Sequence, residues 1–322
     1  MNIKLKEDGF EKAFSKIMHL YAQAKIPQAF ILAEQGVLDF PDECRLLDTA
    51  GALALLLKKQ LFAVKCFERS LENNPENPDI WFNLAGLYQQ QKKHDRAEIC
   101  YKNAIKFRTD FVAAHNDLGN LFEVQNNNHK AEACYFNALQ FDPAFAQAYF
   151  NLGNLYKKEC YLEKAQLFYQ EAINHKVDFF EAHHNLADLL KLTQRFEAAK
   201  TSYLNALSSQ PENSQVYYSL GALLFEQGDI EQAEAYYKKA LELKPDYADV
   251  YYNLGVLFQQ QKRHKEAQAC FNNALKYKPN YAEAYNNTAG VFKLNKQYKQ
   301  AEQCYLTALE LNPDYVDARV NL

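Results

Sequence analysis

The chain has 322 residues, 48% of them apolar, with a formal net charge of −4 and seven cysteines. That apolar share can bury a large core and excludes a disordered chain, while the mild negative charge leaves no electrostatic footprint for nucleic acid or an anionic membrane surface. No apolar run approaches the ~18 residues of a membrane-spanning helix, and the opening MNIKLKEDGFEKAF scatters charges where a secretory leader has its apolar region, so a cytoplasmic protein without membrane insertion is expected.

In chain order, residues 1–43 come first. Ala29, Gly36 and Pro41 place a degenerate helical hairpin over residues 10–43, read as a capping unit whose first helix matches the later pattern poorly. From Cys44 to Tyr315 the pattern is strict: eight units of 34 residues follow one another without an insertion or deletion. Alanine recurs at Ala63, Ala97, Ala131, Ala165, Ala199, Ala233, Ala267 and Ala301, and four residues later stands a ring, as at Phe67, Tyr101, Tyr135, Tyr203, Tyr237 and Phe271. Seven of the nine prolines fall on one phase, closing units at Pro75, Pro143, Pro211, Pro245, Pro279 and Pro313 and closing the degenerate hairpin at Pro41.

The first half of each unit has its own phase. ADVYYNLGVLF from Ala248 has counterparts in PDIWFNLAGLY from Pro78 and AQAYFNLGNLY from Ala146. Its apolar positions 4, 7, 8 and 11 share one helical face. Position 8 is always small, from Gly51 and Ala85 to Gly255 and Ala289, so two helices can approach closely while rings fill the space between them. Each unit is therefore a helical hairpin. The last residues, 316–322, read as the start of a further repeat whose position 6 is Asn321, and a longer protein is expected.

These residues resemble the tetratricopeptide (TPR) pattern W-x2-L-G-x2-Y…A-x3-F…P. Trp81, Leu84, Tyr88, Ala97 and Tyr101 carry it most fully, with Ala85 in place of glycine and Thr109 in place of proline. The resemblance implies an all-α fold: a right-handed superhelical solenoid of stacked antiparallel hairpins whose first helices line a concave groove.

Cysteines and histidines give no sign of a cofactor or metal. Cys66, Cys100, Cys134, Cys270 and Cys304 share position 23. Equivalent positions in stacked hairpins lie about 10 Å apart, beyond the ~7 Å reach of a disulfide. They read as small fillers in a reducing compartment. Glu181, His184 and Asp188 share one face, yet they hold positions that are simply polar in TPR grooves. No nucleotide, hydrolase or zincin motif occurs, and the unbroken spacing leaves no inserted loop to carry a catalytic site. No catalysis within these residues and no cofactor is expected.

The groove is the informative surface. Position 6 holds Asn83, Asp117, Asn151, Asn185, Ser219, Asn253 and Asn287. A carboxamide donates and accepts together, so it can pair with a peptide backbone. At hairpin spacings of roughly 9–10 Å, one amide would meet every third residue of an extended segment. Phe82, Asn116, Phe150, His184, Tyr218, Tyr252 and Asn286 at position 5, with Asn120, Asn154 and Asp188 at position 9, would add selectivity. The alternative is that the asparagines bond only within the array.

The ladder resembles that of the TPR domains of O-GlcNAc transferase and SPINDLY-like proteins, where asparagines hold extended peptides for a glycosyltransferase. Asp117 and Ser219 interrupt it here. Chaperone-binding TPR domains clamp a C-terminal carboxylate with Lys or Arg at positions 2, 5 and 6; here those positions offer only Arg45. The expected function is a protein-interaction scaffold binding an extended or helical peptide segment of a partner. The alternative is the substrate-recruiting region of a larger glycosyltransferase or methyltransferase, and self-association through an open array end is a third expectation.

Overall fold

The computed structural model describes residues 2–322, with side chains from Gly9 onward. Met1 and the side chains of residues 1–8, on which the reading of the chain's start partly rests, lie outside the described residues. The described residues form 19 α-helices and no strand. They divide into two compact units, Met1–Tyr161 and Leu162–Leu322.

Unit 1 carries α1 (Asn2–Ala22), α2 (Ile26–Asp39), α3 (Cys44–Leu56), α4 (Gln60–Asn73), α5 (Pro78–Gln90), α6 (His94–Phe107), α7 (Val112–Val124), α8 (Asn128–Phe141) and α9 (Ala146–Lys158). Helices pair as α1 with α2, α3 with α4, α5 with α6 and α7 with α8, and each second helix also packs on the next first helix.

Unit 2 carries α10 (Leu162–His175), α11 (Phe180–Leu192), α12 (Phe196–Ser209), α13 (Ser214–Glu226), α14 (Ile230–Leu243), α15 (Ala248–Gln260), α16 (His264–Tyr277), α17 (Ala282–Leu294), α18 (Tyr298–Leu311) and α19 (Val316–Asn321). Here α10 packs on α11, and the hairpins are α11 with α12, α13 with α14, α15 with α16 and α17 with α18. Neighbouring first helices also touch: α7 with α9 in unit 1, and α13 with α15 and α15 with α17 in unit 2.

The hairpins close for local reasons. Each first helix ends on a left-handed residue, as at Lys58, Lys92 and Asn126 in unit 1 and Gln194, Gly228, Lys262 and Lys296 in unit 2. At Lys92 the Lys93 N–H returns to the Tyr88 carbonyl at 2.9 Å and the Lys92 N–H to Gln89 at 2.9 Å, satisfying orphan carbonyls at the helix end. Cys160 takes the same conformation with φ 62°. Among these turns only Gly228 is a glycine, so the others carry the cost that a Cβ incurs there. Asn77 opens α5 by accepting from the Asp79 and Ile80 N–H groups, and Asn213 opens α13 by accepting from Val216.

Packing follows from the repeated alanine, ring and small residue. Ala63, Ala97 and Ala131 in unit 1, and Ala199, Ala233 and Ala267 in unit 2, are fully buried. The ring four residues on fills the space above the small residue of the partner helix. A Cβ built on Gly51 would stand 2.4 Å from Phe67, and one on Gly119 2.6 Å from Tyr135. In unit 2 the matching approaches are Gly221 on Tyr237 at 2.6 Å and Gly255 on Phe271 at 2.4 Å. Around them Leu224, Val250, Leu254, Leu257 and Phe258 complete one core cluster of unit 2.

Charges stitch the surface. The position-2 acid Asp79 takes a two-pronged pair from Arg108 at 3.0 and 2.5 Å, and Asp249 pairs with Lys278 at 3.2 Å. Each joins the start of a hairpin to its end, and at such exposed sites each contributes at most ~1 kcal/mol.

Candidate functional site

In unit 1 the first-helix face is an interlocked carboxamide network. Asn151, buried on α9, donates both Nδ2 hydrogens, to Asn116 Oδ1 and Asn120 Oδ1 at 2.9 Å each, and its Oδ1 accepts from Gln147 at 3.1 Å. Asn116 is itself buried and donates to Asp117 at 3.1 Å, and Asn120 donates to Asp117 at 3.4 Å. Tyr135 adds a hydroxyl to Asn120 Oδ1 at 2.8 Å. The structure therefore brings Asn116, Asp117, Asn120 and Asn151 together and binds them to one another. Phe82 packs its ring 4.9 Å from Phe111 and 5.9 Å from Tyr101. Asn83, Phe150 and Asn154 are half-buried on α5 and α9.

Burial holds the Asp117 carboxyl above its ordinary 3.8, and the bonds from Asn116 and Asn120 pull it partway back. The folded state thus favours the protonated form. Its contribution to stability is complete below about pH 3.8 and is lost as the pH rises through the raised folded value. Asp117→Asn keeps an acceptor for both amides without the buried charge. It is expected to raise the thermal midpoint at pH 7, with the gain vanishing in acid. A midpoint unchanged at pH 7 in a pH series of thermal melts would count against this account.

In unit 2 the same positions interlock less completely. Asn253 on α15 donates Nδ2 to the Tyr218 hydroxyl on α13 at 3.2 Å, and its Oδ1 accepts no bond among the described residues. Asn287 on α17 donates to the Tyr252 hydroxyl at 3.1 Å, while its Oδ1 accepts from Asn286 at 3.3 Å. Asn286 Oδ1 in turn accepts from Asn321 at 3.4 Å. Tyr218 rests 5.3 Å from Tyr247 and Tyr252 4.9 Å from Tyr281, ring to ring, which fixes the hydroxyls toward the asparagines. Asn185 is half-buried on α11.

His184 stacks on Phe180 at 6.0 Å and meets the Tyr203 ring edge at 5.9 Å. Its Nδ1 lies 3.8 Å from Asp188, whose Oδ1 accepts from the Tyr203 hydroxyl at 2.5 Å. Burial and the neighbouring Asp188 charge push the Tyr203 phenol well above its ordinary value, with a side-chain hydrogen bond from Ser219 acting the other way. No group of three His, Cys, Asp or Glu side chains among the described residues is placed to hold a metal ion. Arg45 is engaged by Glu11 at 2.7 Å and stands over the Phe14 ring.

Sequence reasoning missed the second-helix tyrosines Tyr135 and Tyr203, whose hydroxyls reach the groove positions. Their signal was present: a tyrosine in a slot that Phe67 and Phe271 also fill has a hydroxyl needing a partner. The cysteines are unpaired. Burial pushes the thiols of Cys66 and Cys100 up to about 12, and those of Cys134 and Cys270 up to about 11.

Residues 144–322 match the family model described as the cilia and flagella-associated protein 70 C-terminal domain, a TPR model, and residues 66–99 match the tetratricopeptide repeat itself. The chain belongs to this tetratricopeptide-repeat family. Protein O-mannosyl-transferase TMTC3 of Homo sapiens is 36% identical over 100 residues, which are 30% of this chain and 11% of that relative. Among solved structures, Pseudomonas aeruginosa pilF is similar at 21% identity, with a TM-score of 0.57 over 65% of this chain and 95% of that one. The APC/C hetero-tetramer Cut9-Hcn1 is similar at 16% identity, with a TM-score of 0.55 over 93% of this chain and 59% of that one. These likenesses show the TPR fold. No helix among the described residues is long and apolar enough to cross a membrane.

Proposed function

We propose that this TPR array is a scaffold that holds an extended segment of a partner protein along the face of its first helices, with unit 2 making the main backbone contacts. The carrying observation is the difference between Asn151 and Asn253. Asn151 has its donors and its acceptor committed inside the array, whereas Asn253 is oriented by one bond to Tyr218 and keeps its carbonyl oxygen unengaged. Such a carboxamide is pre-organised to accept a backbone N–H, which lowers the ordering cost of binding. Asn287 offers the same face one hairpin on, with one lone pair already used by Asn286.

The test is affinity capture of a partner on the array, followed by titration of the partner's minimal segment against Asn253→Ala/Asn287→Ala. Two lost bonds of about 0.5–1.5 kcal/mol each predict roughly a 5- to 150-fold weaker Kd with the far-UV spectrum unchanged. An affinity within twofold of the parent protein would sink the proposal.

A second reading has one observation behind it: the relative sharing 36% identity is named a protein O-mannosyl-transferase and is matched over only 11% of its length. There the array would recruit substrate to a catalytic region outside these residues. Glycosyl transfer to the captured segment, assayed with the full reading frame, separates the two.

A further inference from the structure

Along the first-helix face one bond repeats at a spacing of 35 residues. Position 5 of a hairpin accepts from position 6 of the next, as Asn116 from Asn151 in unit 1, and as Tyr218 from Asn253 and Tyr252 from Asn287 in unit 2. In unit 2 the preceding pair is His184 and Ser219. A serine side chain is too short to bridge this gap, and the His184 Nε2, shielded from water, is left without a partner. A second change falls in the same unit. The Tyr237 hydroxyl lacks the partners that Tyr135 has in unit 1, because Ala222 and Phe225 occupy the places of Asn120 and Glu123, and Asn253 is the polar side chain nearest to it.

At this break a cavity of about 540 Å³ opens, within the range of ligand pockets. Its wall includes Asp188, Lys191, Tyr203, Tyr218, Ser219 and Glu226. Lys191 is held by Glu226 at 2.7 Å, so the one lining cation is already neutralised. Asp188 remains, with one oxygen on the Tyr203 hydroxyl and the other 3.8 Å from the imidazole. Two acids against one base leave the lining with a formal charge of −1. The occupant this charge suits is cationic, rich in donors, and flat enough to lie against the half-buried Tyr218 ring. A guanidinium meets all three conditions, and an ammonium lacks the flat face.

We propose that the gap at Ser219 is a side-chain pocket that selects an arginine in the segment bound along the face. This rests on the scaffold reading above and adds to it a residue preference at one position. Replacing Ser219 by asparagine fills the pocket and supplies the missing partner for His184. Glu226→Gln removes one acid at the exposed end of α13.

The experiment is fluorescence anisotropy with two labelled alanine-based peptides that differ at one central residue, arginine or the isosteric neutral citrulline. The arginine peptide is expected to bind at least about tenfold tighter to the parent protein, a preference lost in Ser219→Asn and reduced in Glu226→Gln. The thermal midpoint of Ser219→Asn should be no lower than the parent's. Equal binding of both peptides, still weakened by Asn253→Ala/Asn287→Ala, overturns the pocket and leaves the scaffold reading standing. An arginine preference that survives the double alanine substitution, with overall affinity unchanged, supports the pocket and counts against the carboxamide contacts. Failure of both peptides to bind overturns both.

Discussion

Phe271→Ala is expected to cost about 3–5 kcal/mol, as for other large buried rings. The ring is fully buried, stands 6.0 Å from Tyr252, and covers the one place where α15 has no side chain. Collapse cannot heal the cavity, because Gly255 opposite has nothing to move into it. In a stacked array each hairpin leans only on its neighbours, so the damage should stay local. Hydrogen exchange should quicken in α15 and α16 while α3 to α6 keep their protection. Urea unfolding followed by far-UV circular dichroism gives the total, and a loss under about 1 kcal/mol would show that the ring is not what joins these helices.

Gly255→Val should fail for the opposite reason. The first added carbon would lie 2.4 Å from Phe271 Cε1 and 2.6 Å from its Cδ1, and the ring has no room to retreat from it. Overpacking of this kind costs about 1–3 kcal/mol. Gly86, in the middle of α5, supplies the control. No heavy atom lies within 4 Å of the carbon that alanine would add there. Removing glycine's excess backbone freedom from a helix interior should then stabilise by about 0.5–1 kcal/mol. Two glycines in equivalent first helices are thus expected to respond with opposite signs, and denaturation midpoints moving the same way would refute the argument.

The hairpins were legible because their determinants are local and periodic. A small residue at position 8, an alanine at position 20 and a ring at position 24 name both helices and the face on which they meet. The hairpin ends were legible in part. Pro75 and Pro143 mark the close of second helices, but nothing in Lys92 or Gln194 announces a left-handed turn, since the turn is imposed by the packing on either side. The division into units ending at Tyr161 and beginning at Leu162 has no mark in a sequence whose period does not change there.

The site was legible as positions and not as bonds. Asparagine at position 6 was visible, but its role depends on what stands 35 residues earlier. Asn116 and Asn120 both accept from Asn151, whereas Tyr218 meets Asn253 only through its hydroxyl. Asp79 likewise reads as a helix-start charge, and its pairing with Arg108 needs the hairpin closed. Ser219 was visible as an interruption of the ladder, and the opening beside it emerges only when Tyr203, Tyr218 and Glu226 are set around it.

The left-handed turn after α9 has a practical corollary. Cys160 sits at its tip, exposed, while Cys66, Cys100 and Cys134 lie buried on second helices with thiols too weakly acidic to react at neutral pH. Cys44, Cys270 and Cys304 are half-buried, and Cys160 is the one exposed cysteine among the described residues. A maleimide dye or a spin label attached there would report on binding without an engineered cysteine, and with every wild-type contact of the core intact.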